Sequence, residues 1–332
     1  ALLLKEVGYE VIGMHMRLWD SPRCDYQARQ AENICRILNI PYYQVELQKE
    51  FELNVVDYFC QEYQQGRTPN PCVACNYYVK FGLLLDKALS LGADYLATGH
   101  YAKVEHSRDG HRLLKGADAS KDQSYFLYTL TQAKLGHILF PLGEYSKGEV
   151  KQMARRAGLP TATKSSQDIC FVSQKNYGTF LSQRFSPTPG DIVDTQGAKL
   201  GQHQGIAFYT IGQRHGLGLP LIKSGAGKPL YVIRIEPESN RVVLGLEKEL
   251  YSQKLTAQKL SWISGKAPRE PITAQAKIRY KSRETEVILF PRDDSVDVHF
   301  TQPQKAVAPG QAIVFYNIDE VLGGGIIYQT QK

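Results

Sequence analysis

The segment TPNPCVACN, from Thr68 to Asn76, sets two thiols, Cys72 and Cys75, in Cys-x-x-Cys spacing among two prolines, Pro69 and Pro71. Apolar periodicity predicts a helix over Asn76 to Leu91, which puts the pair at a helix N-terminus, where the positive end of the dipole favours a thiolate. Lys80 lies one turn further along and Arg67 just before. Bringing a free thiol from ~8.5 to half-ionised at neutral pH takes roughly 2 kcal/mol, within reach of a dipole plus one cation. Two packed thiols in a rigid loop are the alternative. Structural zinc wants four ligands, and no second Cys-x-x-Cys or His-rich partner follows, so no metal is assigned. Three thiolates, adding Cys170 of SSQDICFV, would suit an iron–sulfur cluster with one open iron, and that option stays open. Read alone, Cys170 is a core residue at a domain junction. Beside an ionisable thiol it becomes a partner for disulfide or persulfide exchange. Cys24, Cys35 and Cys60 fall in apolar, helix-like stretches and read as small hydrophobes.

Other residues gain meaning from the ends of strands. Gly99 and His100 follow the strand-like Asp94 to Thr98, and Met16 ends Tyr9 to Met16, both at the carboxyl edge where open α/β sheets take ligands. The run KIRYKSR, read as a strand, puts Lys277, Arg279, Lys281 and Arg283 on one face, a row that could follow a phosphate backbone or guard a solvated edge. KDQSYFLYTL, from Lys121 to Leu130, leads a polar triad into an aromatic helix, for contact with phosphate and base or for capping.

The elements that must position these residues alternate in the first half of the chain. Helical spacing over Arg23 to Leu38 and Phe51 to Tyr63 separates the strand-like Tyr9 to Met16, Tyr42 to Leu47 and Asp94 to Thr98, the order of a parallel, doubly wound α/β sheet. Ala1 to Glu6 reads as the last turns of a helix with no strand before it, so a first strand is expected to be missing. From about Cys170 short strands and Gly-rich turns suggest a small linking domain, and beyond Pro229 alternating runs suggest a closed β-barrel. The division predicted is 1–168, 169–245 and 246–332. With 332 residues the chain can bury several cores, and its net charge of +7 favours a polyanionic partner. No apolar run reaches the ~20 residues of a membrane span and no signal peptide opens the chain, so the cytoplasm is the expected location; the expected state is a monomer.

In order along the chain, GYEVIGMHMRLWD, GRTPNPCVACNYYVKFG, DYLATGHYAKV, KDQSYFLYTL, SSQDICFV, YTIGQRHGLGL, KIRY and PGQAIVFYN with VLGGGII resemble the tRNA-specific 2-thiouridylase family. The resemblance implies a catalytic domain of the adenine-nucleotide α-hydrolase type, a central domain and a C-terminal β-barrel. It also implies ATP, with Mg2+, adenylating the wobble uridine of tRNA before a cysteine persulfide delivers sulfur. By the same matching Cys75 is the nucleophile and Cys170 the persulfide carrier, and the two end each cycle as a disulfide. Asn70, Pro71 and Cys72 would meet the target base; His100, Lys121, Asp122, Gln123, Arg279, Tyr280 and Gln311 the tRNA; Met16 and Gly99 the nucleotide. A sulfur-relay protein or cysteine desulfurase is the implied donor. Some relatives carry an acid at the place of Cys72, which leaves proton transfer without an owner. The family's Ser-Gly-Gly-Val-Asp-Ser phosphate loop would precede Ala1, so the chain as written is expected to be silent in adenylation and poorly soluble. Two other readings are a catalytically dead tRNA-binding fragment and a related sulfur-transfer enzyme with a small substrate.

Overall fold

A computed structural model of the chain describes residues 1–160, 169–172, 177–217 and 228–331. Strands β1 (Gly13–Arg17) and β2 (Tyr42–Glu46) pair in parallel across the helix Pro22–Leu38. That helix begins on Ser21, whose Oγ accepts from Cys24 N–H, and ends on Asn39 at φ 51°. Polar N-caps and left-handed C-caps satisfy the terminal backbone groups, which is why the helix stops there. β3 (Leu96–Ala97) is followed by a hairpin of β4 (Ala102–Ser107) and β5 (Gly110–Lys115), then by β6 (Ile138–Leu139), which pairs with β3 in parallel. The expected parallel sheet is thus present as two parallel ladders. Two helical rods cover it, one running from Gln48 to Gln64 and one from Pro71 to Ser90, the second wound at π spacing over Cys75–Leu84.

β7 (Gly190–Val193), β8 (Lys199–His203), β9 (Tyr231–Glu236) and β10 (Arg241–Gly245) form a middle sheet in the order β8-β7-β10-β9. The alternating runs Leu230 to Ile235 and Arg241 to Leu244, read with the barrel from sequence, belong here instead. Alternation marks a half-buried strand but does not say which sheet buries it.

The barrel is closed by six antiparallel strands: β11 (Tyr251–Trp262), β12 (Ile272–Lys277), β13 (Thr285–Pro291), β14 (Ser295–Lys305), β15 (Ala312–Asn317) and β16 (Glu320–Gln331). They run β11-β14-β13-β12-β15-β16, and β16 returns to β11. Val287, Leu289, Val296 and Val298 point inward at period two and fill its core. The β4–β5 hairpin joins the same sheet through Glu320 and Leu114. One apolar core therefore runs from Phe81 and Leu85 of the second rod through Tyr125 and Tyr128 to Val314 and Tyr316 of β15. Cys35 and Cys60 are buried in helices, and Cys24 is half-buried at the start of Pro22–Leu38.

Candidate active site

The helix carrying the thiols starts earlier than its apolar periodicity suggests. Asn70 is the N-cap, its Oδ1 accepting from Val73 N–H at 3.3 Å, and Pro71 takes the first position. Cys72 therefore sits in the first turn and Cys75 one turn in, where the dipole acts on it more weakly. Cys75 is buried, and burial pushes its thiol up to about 12 against the opposing pull of Lys80, with Cys170 and Cys72 adding to the rise. The expected activated thiolate at Cys75 is thus a neutral thiol in this resting structure. Cys72 and Cys170 show exposed surface, yet the protein around them still strips water from a thiolate and raises both. All six cysteines are free thiols, so the disulfide implied for Cys75 and Cys170 is not formed here.

Cys170 is held beside this pair by its neighbours. Phe171 packs edge-on to Phe59 at 5.3 Å and Phe51 at 5.7 Å, burying one side of the short segment, while Ile169 faces the cavity described next. The Cys170 thiol feels the charges of Cys72 and Lys80, and Cys75 feels that of Cys170.

A cavity of about 520 Å³ opens over Cys72, Asn76, Lys80 and His100. Its far walls are the Lys121–Asp122–Gln123 loop with Lys147, and a barrel turn carrying Lys277, Tyr280 and Lys281. Five lysines and one carboxylate line it, with Lys277 paired to Asp122, so its walls are net cationic. His100 is buried, and burial followed by the charge of Lys80 pushes it down to about 3. Lys80 Nζ stands 3.5 Å from Nε2, so the ring proton sits on Nδ1 and is donated to Thr98 Oγ1 at 2.7 Å.

Several residues implied to contact RNA are spent on the protein itself. Asp122 is buried; its Oδ1 accepts from Gly116 N–H and Ser124 N–H, both at 3.1 Å, and its Oδ2 accepts from Ser124 Oγ at 2.9 Å. Gln123 Oε1 accepts from Tyr101 N–H at 3.0 Å, locking the loop to the β3 exit. Gln311 donates through Nε2 to Thr68 O at 3.1 Å, clamping the loop before the thiols. The aromatic helix expected after Lys121 is one short turn, Ser124–Phe126.

KIRYKSR is not a strand with a cationic face. β12 ends at Lys277, and a turn follows in which Arg279 N–H is bonded to Ser282 Oγ at 3.3 Å. The turn lets Tyr280 pack on Phe126 at 4.5 Å, which outweighs the strand register. Arg279 is exposed and donates to Lys305 O at 3.1 Å, while Lys277 is drawn inward.

Gly99 lines a second cavity of about 250 Å³, largely apolar, with Ala97, Leu38 and Leu142. Met16 packs into the adjoining cores and does not line that cavity. Among the described residues no three His, Cys, Asp or Glu side chains are grouped to hold a metal ion. Residues absent from the expected site join it, among them Lys80, signalled only by its position one turn past Cys75, Lys147, which gave no signal, and Asn76, buried and bonded through Nδ2 to Phe126 O at 3.0 Å. Asn76 gave no signal, since a polar residue after Cys75 reads equally as a cap.

Comparison with known proteins agrees with this architecture. Residues 1–174 match a family described as tRNA methyl transferase HUP domain, residues 178–246 a tRNA methyl transferase PRC-barrel domain, and residues 252–327 an aminomethyltransferase beta-barrel domain. A tRNA-specific 2-thiouridylase MnmA of Carboxydothermus hydrogenoformans is 48% identical over 98% of this chain and 93% of its own length. Its counterpart in Acetivibrio thermocellus is 46% identical over 98% of this chain and 94% of its own. One from a Thermoanaerobacter species is 44% identical over 100% and 94%. With such identity sustained along nearly the whole of this chain and more than nine-tenths of each relative, and with all three domain types matched in order, the chain belongs to the tRNA-specific 2-thiouridylase family.

Proposed function

We propose that the chain is a sulfurtransferase that converts a tRNA uridine to 2-thiouridine, with residues 1–168 carrying the adenylation site and Cys75, the segment 169–245 supplying Cys170, and 246–332 helping to hold the RNA. The single observation that carries this reading is the lysine-lined cavity of about 520 Å³ with Cys72 in its wall and the Cys75 and Cys170 thiols within electrostatic reach. A uracil carbonyl is a poor electrophile with a poor leaving group. In the reading, O2 of the uracil attacks the α-phosphorus of ATP, pyrophosphate leaves and the N3 proton is lost. The terminal sulfur of a Cys170 persulfide then adds to C2 and AMP leaves. Cys75 attacks Cys170 Sγ, the C2-bound sulfur departs as the thiocarbonyl, and a Cys75–Cys170 disulfide remains for a thiol reductant to reopen. Lys80 offsets the cost of forming thiolate at Cys75, and neutral His100 holds Lys80 in place.

Gly99 and its apolar cavity suit the adenine end of ATP, and Met16 at the end of β1 supports the neighbouring core. A persulfide donor such as a relay protein or cysteine desulfurase would meet Cys170, which is exposed. No helix among the described residues is long and apolar enough to cross a membrane. The test is thiolation of an unmodified tRNA transcript, with ATP and a persulfide donor, by a version of the chain that carries the family's phosphate loop, read by mass spectrometry of the nucleosides. Appearance of 2-thiouridine with AMP and pyrophosphate is expected; stoichiometric ATP turnover without sulfur in the RNA would remove the reading.

A further inference from the structure

The Lys121–Asp122–Gln123 loop and the barrel turn after β12 form opposite walls of the cavity, and they come from different domains. Beneath them lies a compact charge network. Lys277 Nζ, at the end of β12, stands 3.8 Å from Asp122 Oδ2 and 3.4 Å from Glu284 Oε1. Lys115, at the end of β5, is 2.8 Å from the same Glu284 oxygen. Both ammonium groups face the ring of Tyr316 on β15, at 4.8 Å for Lys115 and 5.5 Å for Lys277. The side chains are only 4% exposed at Asp122, 15% at Lys277, 17% at Lys115 and 21% at Glu284, so they are shielded from solvent and salt. Two cations thus meet the carboxylates of Asp122 and Glu284 over one aromatic ring, with the exposed Asp319 a further 4.0 Å partner of Lys115, and every charge has an opposite partner.

This balance constrains what Lys277 can do. A lysine engaged by two carboxylates is a weak phosphate ligand, because binding RNA would strip it from both. Its neighbours are placed differently: Tyr280 and Lys281 line the cavity three and four residues on, and Lys121 and Gln123 flank Asp122. A shift of Lys277 against Asp122 changes the spacing of those two walls.

We infer that Lys277 and Asp122, with Glu284, Lys115 and Tyr316, form a latch between the catalytic domain and the barrel, positioning Lys121 and the Tyr280–Lys281 turn for RNA without touching it. The inference rests on the proposed function only in naming RNA as the cavity's ligand. Lys277 and Asp122 are positioning residues.

The test uses the full chain and four variants: Lys277→Met, Asp122→Asn, the double variant, and Lys277→Arg. Thermal unfolding without RNA reads the latch itself: each single variant lowers the midpoint by about 3–8 °C, and the double variant by clearly less than the sum. Binding to an unmodified tRNA transcript across a salt series reads positioning. Lys277→Met weakens affinity about tenfold with an unchanged slope of log K against log salt, and Lys277→Arg recovers most of that affinity. Strictly additive midpoint shifts overturn the latch. So does a slope that falls by about 0.7–0.9 for Lys277→Met, which would make Lys277 a phosphate ligand. Thermal coupling in a wild-type chain that binds no tRNA supports the latch and overturns the functional reading instead, so the two fail separately.

Discussion

The ammonium of Lys80 and Nε2 of His100 stand 3.5 Å apart in the buried floor of the cavity, a contact that only a neutral imidazole can accept. His100 is pushed down to about 3, by burial first and by Lys80 second. Above pH 6.5 the folded and unfolded chains both hold the ring neutral and its contribution to stability is complete. Between pH 6.5 and 3 only the unfolded chain takes up the proton, so stability falls by up to about 1.4 kcal/mol per unit. Midpoints measured from pH 8 to 4 should fall more steeply for the wild type than for His100→Gln. Parallel profiles would show that His100 titrates normally.

The three thiols near Lys80 should differ in reactivity by access. Cys75 is buried with its thiol raised to about 12, whereas Cys72 and Cys170 have exposed surface. With iodoacetamide at pH 8, peptide mass spectrometry should find Cys72 and Cys170 modified at least about tenfold faster than Cys75. Lys80→Met should slow all three, because their thiolates each lose a stabilising cation. Fast labelling of Cys75 would mean that the resting thiol is already activated.

Substitution should separate chemistry from binding. In a full-length version carrying the family's phosphate loop, Cys75→Ser and Cys170→Ser are each expected to abolish 2-thiouridine formation while leaving the Kd for tRNA within about twofold, since neither thiol belongs to the cationic walls. Cys72→Ser should retain measurable turnover. Near-normal thiolation by the Cys75 or Cys170 variant would remove the proposed sulfur relay.

Lysines on the cavity wall carry the salt dependence. Neutralising Lys121 or Lys281 should weaken tRNA binding and lower the salt slope by about 0.7–0.9 for each phosphate that is no longer neutralised. Binding curves with unchanged slopes for both would place the RNA elsewhere.

Gly310 is at φ 91°, and a Cβ there would stand 2.9 Å from Thr68 N, next to the loop that Gln311 clamps. Gly310→Ala should cost roughly 1–3 kcal/mol of stability through that strain and displace the start of the thiol helix. Gln311→Leu should reduce thiolation more than stability, because it frees the Thr68 to Asn70 loop without a backbone clash. Chemical denaturation and the thiolation assay together check both; a Gly310→Ala chain as stable as wild type would show that the loop yields.

The parallel β1–β2 unit was legible because its signals are local: apolar strand residues on either side of a stretch with helical spacing, whose ends the structure places at a Ser21 cap and an Asn39 stop. The chemistry-bearing residue types were legible for the same reason. Cys72, His100, Lys121, Asp122, Gln123 and Tyr280 do meet around one cavity. The strand period misled at Lys277 to Arg283, since burying Tyr280 against Phe126 broke the alternation. The helix boundary misled at Asn76, since Asn70 and Pro71 start the rod five residues earlier than the apolar stripe.

By itself the sequence determined which thiols, cations and turn residues are available, the parallel order of the first strands and the succession of three domain types. Those features depend on chain-local geometry and on periodic burial. Tertiary structure alone decided their electrostatic state and their duties. It buried Cys75 and His100 deeply enough to keep both neutral, turned Asp122 and Gln311 into internal clamps, and withdrew Lys277 into a network with Glu284 and Lys115. Each outcome is set by how much water long-range packing removes around a charge and by which partner, brought close by the fold, replaces it.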